Sequence, residues 1–429
     1  MKNNKFIKST IILLVGGFIT KILGMIIKIV MTRLIGPNGI GLYMLVMPTF
    51  MLLITIAQLG FPIAISKLVA ENNHNNKNLV LGLIPISMIL NIIIIVFMII
   101  FAPFLAKNLL HEPSLNKALI SISLVLPFIS ISSMLRSYFF GKQNMLPHVI
   151  SNITEDVIRL ITIIIGVPIF LKSGTINAII FIILSNIISE LTSILVLFLF
   201  LPKKFKISKK DLVPNKNNVK KVLDISIPST SSRIIGSITS FLEPIILSFI
   251  LINNGYNNNY FIREYGIITG YVMPLLLLPS FFTSAISQAL LPIVSKSYSN
   301  RNYKYTKNKI KQGITLSLLI GIPVTIIFEL LPHIPLKLIY DTTEGITYIR
   351  ILAPFFLLYY IESILISSIQ GMGKAKEAMK ITLQSAIIKI IILIGCSYLF
   401  GIMGLIISLA FNIVFVTIKD YIYIKKFLK

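Results

Sequence analysis

Apolar runs of about 20 residues recur along the whole chain, separated by short segments rich in Lys, Asn, Pro or Gly. A helix of that length covers the ~30 Å of hydrocarbon in a bilayer. A backbone in lipid must satisfy its own hydrogen bonds, so the runs predict helices and not strands. The pattern places twelve spans near 10–31, 40–62, 79–101, 118–140, 149–171, 176–201, 222–252, 266–292, 312–332, 348–370, 381–399 and 401–419. Only the turn around Gly401 separates the last two.

The basic residues test this count, because cytoplasmic segments collect Lys and Arg. With the N-terminus inside, the inner connections and both termini, taken with Lys419 at the edge of the last span, hold 27 Lys and Arg, against 6 on the outer side. Both termini are therefore expected in the cytoplasm. Lys2, Lys5 and Lys8 ahead of the first run resemble a signal n-region. No small-residue cleavage site follows, and Lys21 and Lys28 interrupt the run, so the first helix is expected to be retained. The longest inner connection, KKFKISKKDLVPNKNNVKK at 203–221, reads as a solvated linker held to anionic headgroups.

Composition agrees. The 429 residues are 55% hydrophobic and 13% charged, whereas soluble domains carry roughly a quarter charged residues. A net charge of +25 would point to nucleic acid in a soluble protein, but here it lies in membrane-flanking loops, so no nucleic-acid partner is implied. The lone cysteine, Cys396, sits in an apolar run and forms no disulfide or thiolate site. His74, His111, His148 and His333 have no metal-ligand spacing, and there is no Walker-type loop or H-E-x-x-H. Nor is there an extramembrane stretch long enough for a catalytic domain. The reading is a non-enzyme without metal or cofactor.

The two halves share a pattern. Val46-Met47-Pro48 precedes Pro62-Ile63 and Lys67, and Val272-Met273-Pro274 precedes Pro292-Ile293 and Lys296. Pro127-Phe128 leads to Gly141-Lys142, and Pro354-Phe355 leads to Gly373-Lys374. Both pairs lie six helices apart, an even number, which makes parallel repeats. The fold class expected is an all-α integral membrane protein of about 12 transmembrane helices, in two pseudo-symmetric six-helix lobes around a central cavity. Residues 1–205 form the first lobe, 206–221 the basic linker and 222–429 the second lobe.

Ionisable groups inside spans carry the candidate chemistry, since each costs roughly 2.5–3.5 kcal/mol at mid-bilayer on insertion scales. Gly17, Lys21, Gly24 and Lys28 form one stripe of small and cationic positions on the first helix. Ser226, Ser229, Arg233, Ser237 and Ser240 repeat the device on the seventh, with Pro228 and Pro244 allowing kinks. Asn152, Glu155, Asp156 and Arg159 share a face of the fifth, where Glu155 and Arg159 can pair at i, i+4 as a structural or cavity ion pair. Glu190, Glu243, Glu362 and Lys389 are further charges within spans, while Arg136, Glu329 and Arg350 lie near helix ends within reach of headgroups.

Four stretches carry a likeness. ILGMIIKIVMTRLIGPNGIGLYMLVMP (22–48) and LGFPIAISKLVAEN (59–72) resemble the opening of the stage V sporulation protein B and polysaccharide-flippase family. MLRSYFFGKQNMLPHVISNITEDVIRL (134–160) is similar to that family's second signature, and QGMGKAK (370–376) matches more loosely. The family belongs to the multidrug/oligosaccharidyl-lipid/polysaccharide exporter (MOP) superfamily, with the MurJ-type lipid II flippases and the MATE drug exporters.

The resemblance implies a bacterial cell-membrane transporter for cell-wall peptidoglycan, polysaccharide or sporulation precursors. A cavity between two lobes would pass a lipid-linked oligosaccharide or lipid II-like anion to the outer leaflet by alternating access. Lys21 and Lys28 occupy first-helix positions of the kind that line the cavity in lipid II flippases, with Arg233 and Arg159 as the further cavity cations. Cations there would compensate a diphosphate in low dielectric. Membrane potential, or Na+ or H+ acting through Glu190, Glu243 or Glu362, would drive transport. Relatives with lipid-linked substrates carry fourteen helices, and twelve is the drug-exporter number. The alternative reading is therefore a cation-coupled MATE-type multidrug exporter, and a third is a non-transporting scaffold of cell-wall assembly. A two-lobed exporter forms its pathway within one chain, so no oligomer is implied.

Overall fold

The computed structural model describes residues 2–71, 76–201 and 209–427; the side chains of 1–11, 14, 72–76, 202–210, 228, 229, 231, 232, 428 and 429 lie outside the described set. All regular structure among the described residues is helical. The helices are α1 (Lys2–Gln58), α2 (Phe61–Ala70), α3 (Asn76–Leu81), α4 (Ile84–Phe104), α5 (Asn116–Gly141), α6 (Met145–Leu171), α7 (Thr175–Leu199) and α8 (Lys216–Asn253). There follow α9 (Asn258–Gly266), α10 (Met273–Leu277), α11 (Ser280–Ser299), α12 (Tyr303–Leu330), α13 (His333–Tyr340), α14 (Ile346–Gly371), α15 (Ala375–Phe400) and α16 (Met403–Phe427).

Nine helices among the described residues are long and apolar enough to cross a membrane, and the pair Asn258–Leu277 and Ser280–Ser299, bent by 50°, makes a tenth. α1 holds two of the expected spans, broken at Gly36, whose φ of 69° is open to glycine and costly for other residues. Pro37 then starts the second helix without needing an N–H partner. α6 supplies the remaining span, with Glu155, Asp156 and Arg159 near its middle and an apolar run from Ile163 to Leu171. Each of the twelve expected spans thus has its helix, and α15 and α16 are separate, divided at Gly401 with φ 61°.

α4 shows why these helices belong in lipid. Ile89, Ile93, Val96 and Ile100 form an outward stripe 51–74% exposed, while Ser87 and Asn91 are fully buried. Asn91 Nδ2 donates to Ser87 O at 2.7 Å and to Ser130 Oγ of α5 at 3.1 Å. A helix with apolar residues outside and amides inside is the inverse of a soluble one, and burying its apolar face requires hydrocarbon. The protein is an all-α, multi-pass membrane protein.

The chain divides into two compact units, 1–241 and 242–429, the division falling inside α8. In the first, a core of Phe61, Val69, Leu79, Met134, Leu135, Phe139 and Leu197 joins α2, α3, α5 and α7. The described part of the basic linker is not free in solvent. Lys77 Nζ pairs with Asp211 Oδ2 at 2.5 Å, and Asn78 Nδ2 donates to Asp211 O at 3.3 Å, pinning it to α3. In the second unit, Val294, Ile364, Leu365, Ile369 and Ile424 form the matching core of α11, α14 and α16.

The repeat is written into one turn. After α5, the N–H groups of Lys142, Gln143 and Asn144 donate to the carbonyls of Tyr138, Phe140 and Phe139 at 3.0, 3.0 and 3.1 Å. After α14, those of Met372, Gly373 and Lys374 donate to Ser368, Gln370 and Ile369 at 3.0, 2.9 and 3.1 Å. Gly141 lies against the Ser66 carbonyl and Val69, and Gly371 against the Leu291 carbonyl and Val294. The packing register therefore matches Val69 with Val294, and not Pro62 with Pro292 as the sequence pairing suggested. Counting back from the turn matches Arg136 with Ile366 and Ser132 with Glu362. Counting forward matches Glu155 with Ser385 and Arg159 with Lys389.

Candidate functional site: membrane-embedded charges

The stripe on α1 is an open face. Gly17, Lys21 and Gly24 are exposed, Lys28 is half-buried, and a Cβ added to either glycine would meet nothing within 4 Å. The opposite side of the helix is closed, since a Cβ at Gly16 would strike the Val149 side chain. Lys21 forms no ion pair among the described residues. On α8 the expected stripe divides: Arg233 and Ser240 are exposed, with open space at Gly236 between them, whereas Ser226 is buried. Ser237 is half-buried and shares a hydrogen bond with Thr55 at 3.0 Å. The side chains of Pro228 and Ser229 lie outside the described residues.

Arg159 and Glu190 belong to a buried cluster whose centre the sequence reading missed. Arg136, expected to reach headgroups, points instead among α6 and α7. Its Nη2 bonds Glu155, Ser193 Oγ at 2.6 Å and Glu190 Oε2 at 3.3 Å. Arg159 Nη2 bonds Glu155 and Ser189 Oγ at 3.4 Å, and its Nη1 lies 3.7 Å from Asp156 Oδ1. The Glu155 and Glu190 side chains are only 8% and 5% exposed. Each buried carboxylate thus has an arginine, as a low-dielectric interior demands. A signal was present in the sequence: Ser132, Ser133 and Ser137 flank Arg136 with small polar side chains that leave room for a guanidinium to turn inward.

The second unit carries a different arrangement. Lys389 Nζ bonds Glu243 on α8, so this expected coupling acid is already paired. Glu362 on α14 lies within electrostatic reach of Asp420 on α16. Asp420 is fully buried, and neither carboxylate oxygen has a hydrogen-bond partner among the described residues. Thr417 Oγ1, one turn earlier, is likewise buried without a partner. The repeat supplies the reason: where the first unit has Arg136 the second has Ile366, and where the first has Ser132 the second has Glu362. The same location holds a neutralised cluster in one unit and unneutralised acids in the other. The 401–419 span boundary hid Asp420, because α16 runs on to Phe427.

Residues 6–298 match the family described as "Polysaccharide biosynthesis protein", and 268–394 match "MatE". Stage V sporulation protein B of Bacillus subtilis (strain 168) is 35% identical over 441 residues, covering 100% of this chain and 85% of that protein. The chain belongs to the polysaccharide biosynthesis protein family. The likeness read from residues 22–48, 59–72 and 134–160 thus extends over the whole chain, within the MOP superfamily. Lipid II flippase MurJ of the same organism is 23% identical, covering 99% of this chain and 83% of that one. Among solved structures, an inward-facing multidrug resistance MATE family transporter of the MOP superfamily matches with a TM-score of 0.73 at 17% identity, over 95% of this chain and 94% of that one. This polysaccharide biosynthesis protein therefore has the fold of that superfamily's transporters.

Proposed function

We propose that the chain moves a lipid-linked, anionic glycan precursor from the inner to the outer leaflet of a bacterial cell membrane. The observation that carries this reading is the open cationic face of α1. Lys21 stands mid-span with no acidic partner among the described residues and with glycine before and after it on the same face. A cation so placed costs roughly 2.5–3.5 kcal/mol on insertion scales unless an anion or a wet cavity meets it. A scaffold gains nothing from that arrangement, and a cavity for cationic drugs is opposed by it. The names of the relatives, a lipid II flippase and a sporulation protein, support the same substrate class.

In this reading both termini are cytoplasmic, and Lys21, Lys28 and Arg233 meet the diphosphate. Arg159 serves the buried cluster instead. Of the three candidate coupling acids, Glu190 and Glu243 are held by Arg136 and Lys389, which leaves Glu362, with Asp420, as the group able to exchange H+ or Na+. The test is flipping of a fluorescent undecaprenyl-diphosphate-sugar in proteoliposomes. Wild-type translocation that is lost in the Lys21→Ala, Lys28→Ala double variant supports the reading. No translocation by wild type sinks it.

A further inference from the structure

One cavity of the first unit has no part in this scheme. Where α2, the end of α5 and the start of α6 converge, they line an open pocket of about 580 Å³, within the ~300–1,000 Å³ typical of small-molecule sites. Its lining combines Lys67, Arg136, His148 and Ser133 with the apolar Ile63 and Phe140, and includes no acidic side chain. Arg136 is fixed in place by Glu155 and Glu190. Lys67 has no carboxylate within 4 Å among the described residues.

His148 sits edge-on to Phe140 with ring centroids 5.7 Å apart. Asn152 Nδ2 lies 3.4 Å from its Nε2, and its Nδ1 is buried with no hydrogen-bond partner among the described residues. The pocket therefore presents an ammonium with no carboxylate within 4 Å among the described residues, beside an apolar wall. A cationic ligand would be repelled by Lys67, and a purely apolar one would leave its ammonium unmet.

We propose that this pocket binds a phosphate group carried on an apolar chain, with Lys67 as its principal contact and Ile63 and Phe140 against the first carbons of the chain. The phosphate could come from the diphosphate of a transported carrier, which rests on the function proposed above, or from an anionic lipid of the bilayer.

The test is binding of geranylgeranyl diphosphate and of phosphatidylglycerol to the purified full-length protein by native mass spectrometry. The proteins compared are wild type, Lys67→Ala, Lys67→Arg and Ile63→Trp, each checked to unfold at the wild-type temperature. Lys67→Ala should weaken binding about tenfold or more, the worth of one hydrogen bond to a charged group. Lys67→Arg should retain binding, and Ile63→Trp should lose it by filling the space. Loss confined to the diphosphate assigns the pocket to the carrier, and equal loss of both ligands assigns it to the bilayer lipid. Unchanged binding of both ligands in Lys67→Ala and Ile63→Trp overturns the proposal. Flipping by the same preparations separates the two readings: a wild type that binds but does not flip refutes transport alone, and variants that bind and flip normally refute the pocket alone.

Discussion

Replacing Arg136 by Ala should destabilise the first unit through Glu190 more than through Glu155. Glu155 keeps Arg159, but Glu190 loses the arginine that reaches it and is left 5% exposed with its charge uncompensated. Removing one partner of a buried ion pair typically costs ~3–5 kcal/mol. Because one of the two acids keeps a counter-charge, the lower end, about 3 kcal/mol, is expected here. Adding Glu190→Gln removes the stranded charge and should recover part of the loss, a coupling of about 0.5–3 kcal/mol in a double-mutant cycle. The chain contains no Trp, so unfolding is best followed by far-UV circular dichroism during SDS titration in mixed micelles. A loss below ~1 kcal/mol, or a double variant as unstable as the sum of the single changes, would refute the cluster as an electrostatic unit.

The repeat makes the converse prediction. Ile366→Arg supplies the second unit with the guanidinium it lacks, and should stabilise it against SDS while abolishing any Na+ or pH dependence of transport that Asp420 carries. An Ile366→Arg protein as ion-dependent as wild type would remove Asp420 and Glu362 from coupling. A Cβ at Gly141 would stand 2.6 Å from the Ser66 carbonyl, but at Gly371 it would stand 3.0 Å from that of Leu291. Gly141→Ala should therefore lower the unfolding temperature more than Gly371→Ala, by an overpacking cost of ~1–3 kcal/mol. Gly36 combines φ 69° with ψ −177°, a region essentially only glycine enters, so Gly36→Ala should cost ~1–3 kcal/mol. A Gly36→Ala protein as stable as wild type would show that the hinge adjusts its backbone.

The helices were legible because lipid enforces one simple rule, about 20 apolar residues per crossing, which survives any tertiary arrangement. The broken span at 258–299 and the turn at Gly401 followed the same rule. The cluster was less legible because its partners are far apart in sequence. Glu155 and Arg159 share a helix turn and could be read as a pair, whereas Arg136 reaches Glu190 across 54 positions. Residue spacing gives no sign of such a contact, and nearness to a helix end favoured the headgroup reading. Asp420 was hidden by hydropathy itself, since its charge and the lysines that follow mimic the end of a span. The similarity of the two halves was visible in motifs, but its register was not, because Pro62 and Pro292 match in chemistry and differ in packing.

The buried Asp420 also bears on how the protein is made. An aspartate on α16 is unfavourable in lipid until α14 and α15 pack against that helix. The segment can settle in the bilayer only once its neighbours are already there. α16 thus depends on its neighbours for its place: a chain whose second unit has misfolded would leave this carboxylate facing acyl chains.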